Sequence, residues 1–254
     1  MRPTLEQAEH AIKTGDGSGI RVAIIDSGVE TGHPALQNIT LSDDVVVTCD
    51  GISIQVHEGD GSDIYGHGTA VTGIIREEAP NAQIGSFRAL DSTNRSRSLV
   101  VAECAMLAIQ KGYDIINCSF GCRGLPRYLP EYKEWIDQAY VAGVQLVAAS
   151  SNLDATTPEW PAYFPSVFGV RSTDCEADEF FHDPSEMISF IAKGERVSVP
   201  WKDGHEKIET GSSFAAPRIT GKLARLLSSL PNTHRSELKP LMEQLAQPYS
   251  TYRI

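Results

Sequence analysis

Short apolar runs rich in β-branched residues recur along the chain, separated by stretches in which apolar residues return every three or four positions. The first run, GIRVAIID at 19–26, ends on an aspartate. Comparable runs follow at 83–90 (QIGSFRAL), 113–121 (YDIINCSFG), 144–150 (VQLVAAS) and 166–172 (SVFGVRS). Continuous apolar runs this short suit strands buried on both faces of a parallel sheet. Helical periodicity lies between them, over 69–78, 99–111 and 131–142. A last helix is predicted from about Phe214 to Leu230, with Ile219, Leu223, Leu226 and Leu230 on one stripe. Strands alternating with helices predict an α/β fold, with a doubly wound, mostly parallel central sheet and helices on both faces. Ligands of such sheets bind beyond the carboxyl ends of the strands. Those ends carry polar or small residues here: Asp26, then Asn117 to Gly121, then Ser150, Ser151 and Asn152. No repeat, low-complexity tract or linker interrupts the pattern, so residues 1–254 are expected to form a single domain.

Composition narrows the function. The chain is 41% hydrophobic and 22% charged, ordinary for a soluble globular protein. A net charge of −11 argues against nucleic acid as a partner and suits a peptide or small molecule, especially a basic one. Cys49, Cys104, Cys118, Cys122 and Cys175 are odd in number and form no CxxC pair, which reads as free thiols in a reducing compartment. The N-terminal stretch lacks the apolar run of a signal peptide, and no segment approaches the roughly 18 apolar residues of a membrane span. Cytoplasmic residence is therefore expected, with no membrane partner, although a secreted chain trimmed of its leader would read the same. Nothing in the pattern bears on oligomeric state.

Three local patterns carry chemistry. Asp26-Ser27-Gly28-Val29 closes the first strand, Gly66-His67-Gly68-Thr69 opens a helix, and Glu209 to Pro217 (ETGSSFAAP) opens the last one. A serine that attacks, an imidazole that takes its proton and a carboxylate that orients the imidazole are what acyl transfer needs. DSGV, GHGT and GSSFAAP, in that order, resemble the three catalytic blocks of the subtilisin-like serine proteases, and the order is the one known for subtilisin itself. The resemblance spans about 20–230. It implies a subtilisin-like fold and a serine endopeptidase that works through an acyl-enzyme on a peptide or protein substrate. Asp26 would be the orienting carboxylate, His67 the general base and Ser213 the nucleophile. Ser212 stands where the family usually has threonine, and Phe214 where it often has methionine.

Two further blocks agree with the resemblance. Ile116 to Gly121 resembles the strand that pairs with substrate, making Ser119, Phe120 and Gly121 one wall of the pocket for the residue before the cut. Val147 to Asn152 resembles the opposite wall, with Ala149, Ser150 and Ser151. It ends in Asn152, which would stabilise the oxyanion together with the Ser213 backbone N–H. Ser151 replaces the usual glycine there. In the same frame Glu159 falls at the base of the specificity pocket, where a carboxylate would pair with a lysine or arginine side chain. The plainer alternative is an exposed loop glutamate.

Simpler roles compete for other residues. Ser212 is expected to cap or pack the last helix, with Pro217 in its first turn. Cys118 reads as a packed core thiol and not as a nucleophile. His33 and His57 read as turn or surface residues, and the acidic loop 57–63 as solvated. The short passage from Gly73 to Asn81 leaves no room for the family's calcium-binding insertion, so no metal and no cofactor are expected. The Ala-Pro-Gly block is reduced to Ser198-Val199-Pro200-Trp201, and the stretch ahead of Ile20 is too short for a pro-domain, so the chain is expected either to fold unaided or to have lost its leader. These features suggest processing of a specific peptide or precursor. The competing class is a catalytically silent subtilase-like domain that binds peptides or scaffolds a complex. A nucleotide-binding reading fails because the glycines of 14–19 precede the first strand, whereas phosphate loops follow it.

Overall fold

A computed structural model describes residues 3–37, 39–153 and 156–249. The elements run α1 (Leu5–Thr14), β1 (Arg21–Asp26), β2 (Asp44–Asp50), β3 (Ser53–Glu58), α2 (His67–Glu78), β4 (Gln83–Arg88), α3 (Ser98–Gln110) and β5 (Ile115–Cys118). They continue with β6 (Cys122–Arg123), α4 (Leu129–Ala142), β7 (Gln145–Ala149), β8 (Glu159–Trp160), β9 (Phe168–Thr173) and β10 (Phe180–His182). The remainder is β11 (Phe190–Lys193), β12 (Val197–Trp201), β13 (His205–Glu209), α5 (Ser212–Ser229), α6 (Leu238–Leu245) and β14 (Gln247–Pro248).

Ten strands form one sheet in the order β14-β10-β11-β9-β7-β5-β1-β4-β2-β3. It is parallel except where β2 meets β3 and β10 meets β11, so the predicted doubly wound, mostly parallel sheet is the one observed. The five expected runs supply β1, β4, β5, β7 and β9. The run at 113–121 is shorter than expected, because pairing ends at Cys118 and the chain then leaves the sheet.

Alternation along β1 sorts the layers. Val22 and Ile24 face a core built with Ile219 and Leu223 of α5 and Val71 of α2, whereas Ala23 and Ile25 face a core built with α3 and α4. Helices therefore cover both faces. The same period of two sends Asp26, the last residue of β1, to the face of α2 and α5. That is the face on which the candidate histidine and serine begin their helices.

α5 starts two residues earlier than its periodicity predicts, at Ser212, and its N-cap is Gly211 with no side-chain cap. Two expectations change with it. Of the two roles expected for Ser212, packing holds and capping does not, and Pro217 falls in the second turn, where it has no N–H to offer the Ser213 carbonyl.

Candidate active site

Gly66 makes the turn into α2 at φ 113°, a left-handed conformation that glycine adopts without strain, and a Cβ there would collide with the Trp201 indole. His67 follows as the first helical residue and is 6% exposed. Its Nδ1 donates to the Asp26 carboxylate, with both oxygens at 2.9 Å. Asp26 is 1% exposed, and its Oδ1 also accepts the Ser27 N–H at 2.8 Å. The imidazole lies against the Phe214 ring, with centroids 5.5 Å apart, and the Trp201 ring, at 6.5 Å. Burial disfavours a charged imidazole. The Asp26 charge and hydrogen bond, with smaller contributions from Asp63 and Glu209, outweigh it and hold the His67 pKa above that of a free histidine.

Asp63 is where the structure departs most from the sequence reading. It belongs to the loop expected to be solvated, yet it is 8% exposed and accepts five hydrogen bonds. Oδ1 accepts from Ser27 Oγ (2.8 Å), Tyr65 N (3.0 Å) and Gly66 N (2.7 Å). Oδ2 accepts from Thr69 N (2.8 Å) and Thr69 Oγ1 (2.7 Å). Ser27 Oγ in turn accepts the Gly68 N–H at 3.1 Å. The carboxylate thus satisfies amides at the start of α2, which have no partner within the helix, and ties them to the end of β1. A local signal was present in the sequence, since Asp63 stands four residues before the helix start. Its burial was not legible. Trp201 and Phe214 were also missed as walls of the imidazole.

Ser213 is the second residue of α5 and is half-exposed. Ser212 beside it is buried: its Oγ donates to the Ser150 carbonyl at 2.6 Å, and its N–H donates to Asn152 Oδ1 at 2.8 Å. Ser212 therefore joins the start of α5 to the end of β7. Because Asn152 Oδ1 is occupied by Ser212, Nδ2 is the end of that exposed amide left to donate.

On the facing wall, Ser119 is buried and its Oγ accepts from Asn117 Nδ2 at 2.8 Å. Asn117 Oδ1 accepts from Thr220 of α5 at 2.7 Å, so this hydroxyl belongs to a core network. Phe120 is half-buried and Gly121 exposed, while Ala149, Ser150 and Ser151 are buried.

Glu159 is neither freely exposed nor paired. Its strand β8 pairs with β6, and its carboxylate lies so close to Gly121 that a Cβ there would collide with it. Half-burial raises the Glu159 pKa, and a hydrogen bond from Ser151 partly offsets the rise. Among the described residues it forms no salt bridge within 4.0 Å. It thus touches both segments expected to wall the pocket.

Cys118 is fully buried and its thiol pKa is pushed up by burial, in line with a packed core thiol. His33 is a turn residue as expected but buried, with Nδ1 accepting from Ala35 N at 3.1 Å and Nε2 at 2.9 Å from the His205 carbonyl. Among the described residues no helix is long and apolar enough to cross a membrane.

Residues 17–252 match the model of the subtilase family. The chain is 31% identical over 228 residues to the major intracellular serine protease of Bacillus subtilis (strain 168), covering 84% of this chain and 69% of that one. It is 28% identical over 252 residues to thermitase of Thermoactinomyces vulgaris, covering 98% and 88% of the two chains. The solved structure of sphericase superposes with a TM-score of 0.75 at 21% identity, over 94% of this chain and 88% of that one, a likeness of fold. On this match, which runs through every element around Asp26, His67 and Ser213, the chain belongs to the subtilase family and is a subtilisin-like serine endopeptidase.

Proposed function

We propose that Asp26, His67 and Ser213 form the catalytic triad and that the enzyme processes a specific peptide or precursor after a basic residue. The observation that carries the triad is the buried Asp26–His67 hydrogen bond beneath the half-exposed start of α5. With Nδ1 donating to Asp26, the neutral imidazole keeps Nε2 as its acceptor. Ser213 Oγ would pass its proton to Nε2 while forming a bond to the scissile carbonyl carbon. The carbonyl oxygen would take the negative charge, received by Asn152 Nδ2 and by the Ser213 N–H, which lies in the first turn of α5. Collapse would return the proton to the leaving amine and leave an acyl-Ser213, which water releases by the same steps in reverse order.

Glu159 supports a preference for lysine or arginine at the cut. A half-buried carboxylate with a raised pKa and, among the described residues, no cation within salt-bridge distance is completed by an ammonium or guanidinium group. The negative charge of the whole molecule favours the same substrates. Five cysteines without a disulfide among the described residues favour a reducing compartment, so we assign the enzyme to the cytoplasm.

A fluorophosphonate probe tests the mechanism. Labelling of the wild type and of Ser212→Ala, but not of Ser213→Ala, is expected. An unreactive wild type would favour the alternative, a silent peptide-binding or scaffolding domain.

A further inference from the structure

Away from the triad, α2 and α5 share a cluster of buried charge. Glu78, the last residue of α2, is 7% exposed, and Arg218 and Lys222 of α5 are 3% and 2% exposed. The two Glu78 oxygens divide the cations between them. Oε1 accepts from Arg218 Nη1 and Oε2 from Lys222 Nζ, each at 3.1 Å. Glu77, at the surface, pairs with Arg218 Nη2 at 2.9 Å, and Lys222 Nζ also donates to the Ala177 carbonyl at 3.2 Å. Ile75, Ala79 and Leu223, their neighbours in the chain, belong to the apolar core, and the Lys222 ammonium lies 6.0 Å from the Phe180 ring.

Stability does not account for such a cluster. Taking charges out of water costs about as much as their pairing offsets, and apolar side chains of similar volume are often as stable or more so. Here the balance is poorer still, because Arg218 Nε is buried with no hydrogen-bond partner among the described residues. What an ion cluster does supply is a single register. Arg218 and Lys222 stand one turn apart on α5, each on its own oxygen. A slide of α5 against α2 by one residue, about 1.5 Å, would draw both away from their oxygens at once. Apolar contacts are non-directional and set no such stop.

α2 and α5 are also the two helices that begin at the site, with His67 first in one and Ser213 second in the other. They approach closely at the cluster, where a Cβ on Gly221 would collide with that of Glu78. Glu78 lies about 16 Å along α2 from His67, at the helical rise per residue. The hydrogen bonds of a helix run along its axis and make it stiff in that direction, so an axial shift at the cluster reaches His67 and Ser213 undiminished. We propose that Glu78, Arg218 and Lys222 are positioning residues that lock α2 and α5 in the one axial register in which His67 can serve Ser213. This rests on the triad reading given above.

Glu78→Leu/Arg218→Met/Lys222→Met, which puts apolar side chains of similar volume in place of the cluster, tests it. Tm should stay within about 5 °C of wild type or rise. With a fluorogenic peptide that the wild type cleaves, kcat per site titrated by the fluorophosphonate should fall about tenfold, the scale of a half-ångström misplacement where a full ångström costs about a hundredfold. KM should hold within about twofold, and the pH midpoint should not move, because the Asp26–His67 bond is untouched. A role in stability alone gives the reverse, a lower Tm with kcat per titrated site unchanged. A kcat within about twofold of wild type in the folded triple variant would overturn the proposal and leave the triad reading intact. If the triple variant does not fold, Lys222→Met decides, since it leaves the Glu78–Arg218 pair balanced. A loss of about threefold in kcat at constant KM would sustain the register lock, and an unchanged kcat would overturn it. A wild type with neither labelling nor turnover would overturn the triad reading, and the proposal with it.

Discussion

Asp63→Asn isolates what a single buried carboxylate contributes to the site. The side chains are nearly isosteric, so packing is retained and only charge and acceptor capacity change. With the amide NH₂ in place of Oδ2, the buried Thr69 N–H faces another donor; with the amide reversed, Tyr65 N and Gly66 N do. Either orientation orphans at least one buried amide, at about 1–3 kcal/mol, and loses at least one hydrogen bond to a charged acceptor, about 1.5–3 kcal/mol before overlap between the two. A net loss of about 2–4 kcal/mol follows. At about 2–4 °C per kcal/mol for a chain of this size, Tm should fall by roughly 5–15 °C. Differential scanning fluorimetry reads this directly, with Asp60→Asn, in the same loop but without Asp63's buried network, as the control expected to stay near wild type. Catalysis should move too. Asp63 is one of the charges that raise the His67 pKa, so removing it lowers that pKa and shifts the acid limb of kcat/KM to lower pH. A Tm within about 2 °C of wild type together with an unmoved acid limb would refute the role derived for Asp63.

The remaining predictions are shorter. Ser213→Ala should abolish turnover, whereas Ser212→Ala, which loses only the 2.6 Å bond to the Ser150 carbonyl, should keep most of it; equal residual activity would sink the assignment. Glu159→Gln should lose the preference for lysine or arginine over neutral residues in a mixed peptide library, and an unchanged preference would return Glu159 to a structural role. In the wild type the base must be neutral, and its pKa is raised, so kcat/KM should rise with pH through a midpoint above the 6.5 of an ordinary histidine. A midpoint at or below that value would contradict the account of His67.

The sequence by itself determined most of the elements whose burial follows a period, although β11, β12 and α6 escaped it. Strands β1, β4, β5, β7 and β9 and helices α2 to α5 were legible because a strand covered on both faces must be apolar throughout, and a helix on one face must repeat every three or four residues. The blocks around Asp26, His67 and Ser213 were legible because each is contiguous. Elements with little burial escaped. β3 is almost wholly exposed, and α1 buries only Ala8 and Ala11. So did everything that depends on residues distant in the chain meeting across the sheet end. Only the tertiary structure decided that Asp63 leaves solvent to bind Ser27 and Thr69, or that Trp201 closes over His67. It also decided that Ser212 is tied to Ser150 and does not cap its own helix, and that Glu159 lies against Gly121 with no ion pair among the described residues. Periodicity reports how much of a segment is buried. Which acceptor meets which donor is settled only when the chain closes, because any one of those polar groups would be equally well satisfied by water in an open chain.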